Sequence, residues 1–178
     1  RLQSLKETIT LEMEQYQIYN VVPVLFDFID DLTNCYIRYN RPRFWSEEDT
    51  NDKDSAYQTL YTAIKELSKS MAPFAPFLAE SIYRDLPLKD DEPESVHLCS
   101  YPNSDLAMID PMLEQAVTRM QHIVLLGRQK RNQVKIKVKY PLSRLTIIHE
   151  DPDLLAEIGK LENYILSELN VKKLIYST

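Results

Sequence analysis

Residues 21–40 read VVPVLFDFIDDLTNCYIRYN, and the fold class turns on them. Val22, Leu25, Phe26, Ile29, Leu32 and Tyr36 recur at spacings of three and four, the period of one helical face, where a strand would need alternation at two. Pro23 stands near the start of the run, where a missing N–H is tolerated or produces a kink between residues 3–20 and the rest of the run. Working outward, helices are expected over about Leu2 to Tyr19 and Pro23 to Asn40. Tyr57, Leu60, Tyr61, Ile64, Leu67 and Met71 mark a third, which the stretch MAPFAP at 71–76 breaks, and Pro76 opens a fourth that runs through Leu86. Asp110 suits an N-cap and Pro111 a first helical residue, so a fifth helix is expected to about Asn132, with Leu113, Ala116, Val117, Met120, Ile123, Val124 and Gly127 inward. Gly127 and Gly159 are the only glycines, which leaves little material for tight hairpins.

The texture then changes. Leu142–Ile148 (LSRLTII) and Lys172–Ser177 (KKLIYS) have strand composition, and Leu154, Leu155, Ile158, Leu161, Ile165, Leu166 and Leu169 between them are spaced helically. Two strands alone are marginal, so they must pack on the bundle or pair with further segments. The connection from Pro87 to Pro111 is polar and proline-containing, the most flexible part expected, with a short extended stretch at Val96–Leu98. The expected fold is therefore mainly α, a helical bundle over residues 1–133 with a small β-α-β subdomain over 134–178. No internal repeat is present.

The 178 residues carry a net charge of −6, which on average argues against a nucleic-acid partner. The average hides segregation. Between Met112 and Leu145 lie Arg119, Arg128, Lys130, Arg131, Lys135, Lys137, Lys139 and Arg144 against the single acid Glu114; between Cys35 and Trp45 lie Arg38, Arg41 and Arg43 with no acid, followed at once by Glu47, Glu48, Asp49, Asp52 and Asp54. An anionic polymer senses such local excess. Cys35 and Cys99 have no C-x-x-C partner, so neither a disulfide framework nor a thiolate zinc site is readable. No apolar run approaches the ~20 residues of a membrane span and no signal-like leader is seen, so the expected setting is cytoplasmic, with neither membrane nor DNA as a partner. The first residue is Arg1, and a piece of a longer polypeptide is expected.

Two stretches suit RNA. In TNCYIRYNRPRFW (33–45) guanidinium groups and aromatic rings stand together at a helix end: Arg38, Arg41 and Arg43 can neutralise phosphate, and Phe44, Trp45 and Tyr39 can offer faces to unstacked bases, each stack worth about 1–3 kcal/mol. The alternative is structural, with the arginines paired to Asp30 or Asp31 and Phe44 and Trp45 closing the bundle end; composition alone favours that for the aromatics. In the second stretch, Arg128, Lys130 and Arg131 on a helix precede K-I-K-V-K at 135–139, where Lys135, Lys137 and Lys139 would share one face if extended and could track a phosphate backbone. Lysines guarding an edge strand are the alternative, and binding is favoured here.

Nothing in the chain points to catalysis. KELSKS at 65–70 superficially matches the K-M-S-K-S nucleotide loop of class I aminoacyl-tRNA synthetases, but Leu67 and Met71 continue a helical core stripe, so the match is set aside. His97, His122 and His149 have no ligand neighbour at metal spacing, and no Gly-rich loop or G-x-S-x-G occurs. The carboxylates of residues 47–54 and 90–94 are clustered as solvated groups.

Five ordered blocks then resemble the region that follows the catalytic core of isoleucyl-tRNA synthetases: YNVVP (19–23); FIDDLTN (28–34) leading to YIR (36–38) and RFW (43–45); MAPFAPFLAE (71–80); SVHL (95–98); and KIKV (135–138) before PLSRL (141–145). The resemblance spans nearly the whole chain, and T-N-x-Y-I-R with N-R-x-R-F-W favours the isoleucyl family over its valyl and leucyl relatives. Cys35 stands where that family usually has Trp, and Tyr39 and Pro42 where arginines are common, which lowers the charge at this helix end.

The resemblance implies a helical anticodon-binding domain and a small α/β subdomain that hold the anticodon stem-loop of isoleucine tRNA as the non-catalytic part of an isoleucine-tRNA ligase. The partners implied are isoleucine tRNA and the catalytic core of the same polypeptide. No cofactor is expected in this chain; ATP, and zinc if the parent carries it, belong elsewhere. A helical protein-interaction module, or the equivalent domain of a valyl- or leucyl-tRNA synthetase, is the alternative, though the interaction module leaves the basic clusters unused.

Overall fold

Helices α1 (Leu2–Glu14) and α2 (Ile18–Asp30) are separated in the computed structural model, which describes residues 1–48 and 50–178, by a left-handed turn at Tyr16. Gln17 N–H donates to the Glu12 carbonyl at 2.8 Å and Tyr16 N–H to that of Met13 at 3.1 Å, a Schellman closure. One helix expected over Leu2 to Tyr19 is therefore two, because a tyrosine occupies the position that glycine usually fills. Pro23 lies inside α2, where it cannot donate to the helix ladder.

The helix continues from Asp30 into Asp31–Ile37, wound with the wider π-type hydrogen bonding. The face it buries is Val21, Leu25, Phe28 and Leu32. The expected stripe is one position off at its start, since Val22 and Phe26 stay 41% and 66% exposed. Both stripes are apolar and helical in spacing, so only packing against α1, where Leu5 and Ile9 are buried, decides between them.

A single turn, α3 (Arg41–Phe44), leads to α4 (Asn51–Met71), capped by Thr50 through Lys53 N–H at 3.2 Å. Helix α5 (Pro76–Arg84) packs on α4. The KELSKS segment stays inside α4: Leu67, Ser68 and Ser70 are buried, and both hydroxyls donate to carbonyls one turn back, Ser68 to Ile64 at 2.6 Å and Ser70 to Glu66 at 2.8 Å. The connection expected to be most flexible is pinned instead. Val96 is buried in a short 3-10 turn and not extended, its N–H and the Ser95 hydroxyl both donate to Glu80 at 2.9 Å, and the fully buried Tyr83 donates to the Pro93 carbonyl at 3.1 Å.

These elements form one compact unit, Arg1–Ile109, and a second comprises Asp110–Thr178. In the second, α6 (Pro111–Gln133) is capped by Asp110 through Leu113 N–H at 3.0 Å. It buries Ala116, Met120 and Val124 but leaves Leu113 exposed. Strands β1 (Leu145–Ile148) and β2 (Leu174–Ser177) pair in parallel, Leu145 opposite Leu174. Between them run α7 (Pro152–Gly159) and α8 (Glu162–Leu169), two short helices. The sequence division after residue 133 differs from the contact grouping, which places α6 with the C-terminal unit because it packs along α7 and α8. Among the described residues no helix is long and apolar enough to cross a membrane.

Candidate nucleic-acid interface

The first basic element is built by a chain reversal after the π-wound segment. Asn40 is buried, its amide donates to the Tyr36 carbonyl at 2.8 Å, and its carbonyl oxygen accepts Arg43 Nη1 at 2.8 Å. Pro42 sits at the start of α3, where its missing N–H costs nothing. Arg41 and Trp45, four residues apart, then share a face, the guanidinium 5.3 Å from the indole ring centre, and Trp45 is 67% exposed. Arg38 is exposed on the turn before.

Arg43 takes a second role. Its Nε and Nη2 grip the Asp52 carboxylate at 2.7 and 2.6 Å, and Nη2 also reaches the Asp52 carbonyl at 3.0 Å, which ties α3 to the first turn of α4. The hydrogen bonds from Arg43 hold the Asp52 carboxyl below its ordinary value. On the neighbouring helix Asp31 accepts Arg1, and Asp30 accepts Asn34. Asp49 lies outside the described residues. Phe44 is corrected from a base-stacking candidate to a core residue, edge-on to Tyr36 at 6.1 Å and Tyr57 at 5.1 Å, and Tyr57 donates to its carbonyl at 3.2 Å. Of the two rings expected to close the bundle end, one does and Trp45 does not.

The second basic element lies in the C-terminal unit. Arg131 is 4% exposed, which removes it from the surface cations. Its guanidinium donates to the carbonyls of Lys137 at 3.2 Å, Tyr140 at 3.1 Å, Leu169 at 2.6 Å and Asn170 at 3.2 Å. Residues 134–140 coil around it and do not extend: Lys135 is left-handed at φ 56, Ile136 N–H returns to the Arg131 carbonyl at 2.9 Å, and Tyr140 N–H to Lys137 at 3.0 Å. The alternation of K-I-K-V-K is therefore not the alternation of a strand. Lys130, Lys135, Lys137 and Lys139 are all exposed, and Lys139 lies 5.3 Å from the Tyr140 ring. Arg128 pairs with Glu168 and is partly withdrawn.

Two cation clusters, one of them carrying an open indole, suit a polyanion with unstacked bases. Residues 1–147 match the family described as the anticodon-binding domain of tRNA ligase. The chain belongs to that family. Among its relatives, this anticodon-binding domain is 44% identical over 178 residues to an isoleucine–tRNA ligase of Bdellovibrio bacteriovorus, 41% over 184 residues to the cytoplasmic isoleucine–tRNA ligase of Mus musculus, and 43% over 188 residues to that of Saccharomyces cerevisiae. Each alignment takes in 99% of this chain, which spans only 15–17% of the length of those relatives.

Sequence reasoning missed Asn40 and Asp52, which orient Arg43 in the anticodon-binding domain. The N-R-x-R spacing places Asn40 three residues before Arg43, a helical contact distance that was available as a signal. Asp52 stands in sequence within an acid run that reads as solvated. Among the described residues no group of three or more His, Cys, Asp or Glu side chains gathers as a metal site.

Proposed function

We propose that this chain holds the anticodon stem-loop of isoleucine tRNA as the tRNA-recognising part of an isoleucine–tRNA ligase. The observation that carries the proposal is the match of the anticodon-binding family over residues 1–147, joined to isoleucine–tRNA ligase relatives that align with 99% of the chain. Arg38 and Arg41 contact phosphate, and Trp45 stacks on an unpaired loop base with Arg41 behind it. Arg43 adds charge while held by Asp52. Lys130, Lys135, Lys137 and Lys139 supply the second set of phosphate contacts, with Arg128 partly shared with Glu168. Aminoacylation, ATP and any zinc belong in this proposal to other parts of a cytoplasmic parent polypeptide, whose catalytic core is the second partner.

Titration of the 178-residue chain with an anticodon stem-loop hairpin of isoleucine tRNA, at rising salt, tests it. Binding is expected to fall linearly in a log–log plot, with a slope set by the number of phosphates contacted. A flat dependence, or equal affinity for a hairpin with an unrelated anticodon, overturns the proposal and favours a protein-interaction role.

A further inference from the structure

Within the C-terminal unit, residues 145–149 border, one after another, a cleft of about 630 Å³ between β1 and α6. Side chains alternate from face to face along a strand, so a cleft that touches five residues in a row runs beside the main chain, at the strand's edge. Among the described residues β1 has β2 as its one strand neighbour. The N–H groups of Leu145 and His149 donate to the carbonyls of Lys173, just before β2, and Ser177, at its end, at 3.0 and 3.1 Å. In a parallel ladder the intervening Thr146 and Ile148 then turn their N–H and C=O groups the other way, into the cleft. The apolar wall is left open as well, with Leu126 62% and Ile148 73% exposed.

Charge lies along one wall only. Arg119 and Lys130 stand eleven residues apart on α6, which puts them on one helix face about 16 Å from each other, with Ile123 and Leu126 between them. Both are exposed, neither enters an ion pair among the described residues, and none of the cleft's described lining residues is a carboxylate. We propose that the cleft receives one unpaired nucleotide of a bound RNA strand, its base against the edge of β1 and its two flanking phosphates on Arg119 and Lys130. The flat base lies on Leu126 and Ile123, and neighbouring donor and acceptor groups on its Watson–Crick edge meet the Thr146 carbonyl and the Ile148 N–H. That edge is already used in a duplex, so only an unpaired residue qualifies. Main-chain groups match any base in one orientation or the other, so the cleft selects an unpaired nucleotide and not a base identity. A peptide strand would offer the same main-chain partners but brings no charge at its repeat, whereas a nucleotide carries phosphate on both sides of its base. The site rests on the RNA reading above and adds the β1 edge and Arg119 to it.

The test uses the 178-residue chain and adenosine 3′,5′-bisphosphate, a base between two phosphates, with pyrophosphate as the comparator that has charge and no base. At saturating bisphosphate, amide exchange at Ile148 is expected to slow at least tenfold, with little change from pyrophosphate. An RNA hairpin with a single-stranded loop is expected to slow it too, and a blunt duplex is not. Ile148→Pro removes only an outward N–H and is expected to weaken the bisphosphate at least tenfold while β1 and β2 stay paired. Should that variant unfold, Arg119→Glu is expected to weaken it as much at an unchanged melting temperature. The proposal is overturned if the bisphosphate leaves Ile148 unprotected, if pyrophosphate or the blunt duplex protects it equally, or if only a capped Thr-Val-Thr-Val-Thr peptide protects it, which would make the edge a peptide site. Hairpin binding that leaves Ile148 unprotected overturns this site and leaves the proposed function standing; no hairpin binding at all overturns both.

Discussion

Nη2 of Arg131 on α6 lies 2.6 Å from the carbonyl oxygen of Leu169 at the end of α8. The last carbonyls of a helix have no partner within it, and here a buried guanidinium supplies one while also holding the 134–140 loop. Arg131→Met leaves these carbonyls without their donor, and is expected to destabilise the C-terminal unit by about 3 kcal/mol, the scale for bonds to a charged group with buried partners left behind. Arg131→Lys recovers less than half, because an ammonium cannot reproduce the planar fork. Thermal unfolding followed on residues 110–178 measures both; wild-type melting with lost RNA affinity would return Arg131 to the surface set.

Arg41 and Arg43 are expected to separate by mutation although they stand two residues apart. Arg41→Ala removes a cation over an exposed indole. Stability is expected to stay within about 0.5 kcal/mol, while the salt slope of hairpin binding drops by about one. Arg43→Ala also cuts the tie to Asp52 and Asn40, so it lowers the melting temperature as well as the affinity. Paired melting curves and salt titrations distinguish the two, and a stability loss confined to Arg41→Ala would reverse the assignment.

Acid is expected to loosen the first unit at two named places. The hydrogen bond from Lys65 holds Glu92 below the ordinary 4.5, and the hydrogen bonds from Arg43 hold Asp52 below 3.8. A carboxyl lowered on folding contributes stability that is complete above its unfolded value and is lost as pH falls through the folded one. The transition temperature should therefore decline below about pH 4.5, and Glu92→Gln should flatten part of that decline. On the alkaline side, burial is the largest single influence on Lys65 and opposes its charge, but the hydrogen bond and charge of Glu92 together with Tyr61 outweigh it and raise the lysine above 10.5, so that tie is complete up to pH 10.5 and fails as pH rises beyond. A Glu92→Gln profile parallel to the wild type would show that the pair contributes nothing.

Helicity is legible in the apolar spacing, and Pro76 and Asp110–Pro111 mark two of the helix starts. The caps at Thr50 and Asp110 and the parallel strand-helix-strand order were not settled equally: Asp110 announces itself ahead of Pro111, whereas a helix broken at Tyr16 has no glycine to mark it. Facing was less legible than helicity. VVPVLFDFI offers two apolar stripes a residue apart, and the burial of Val21 over Val22 depends on α1, which is remote from any local rule. Charge runs located the basic elements but not their division of labour. Arg131 reads like Lys130 in sequence, yet carbonyls brought from 38 and 39 residues away bury the one and leave the other in water.

Gly127 is expected to be intolerant of a methyl group for a reason that helix propensity opposes. A Cβ there would stand 2.5 Å from Leu169 Cδ1 and 2.9 Å from Cδ2, and Leu169 is 1% exposed, so its branched end must shift within packed surroundings. Alanine in mid-helix favours folding by about 1 kcal/mol over glycine, while overpacking costs about 1–3 kcal/mol. Gly127→Ala should therefore destabilise the C-terminal unit by about 1 kcal/mol. Leu169→Ala alone should cost about 2–5 kcal/mol through the cavity it opens. Adding Gly127→Ala to Leu169→Ala should then stabilise instead of destabilise, because the methyl enters vacated space and the helix propensity acts unopposed. A double-mutant cycle by chemical denaturation reads this change of sign directly; equal effects of Gly127→Ala in both backgrounds would mean that the α6–α8 contact does not limit residue 127.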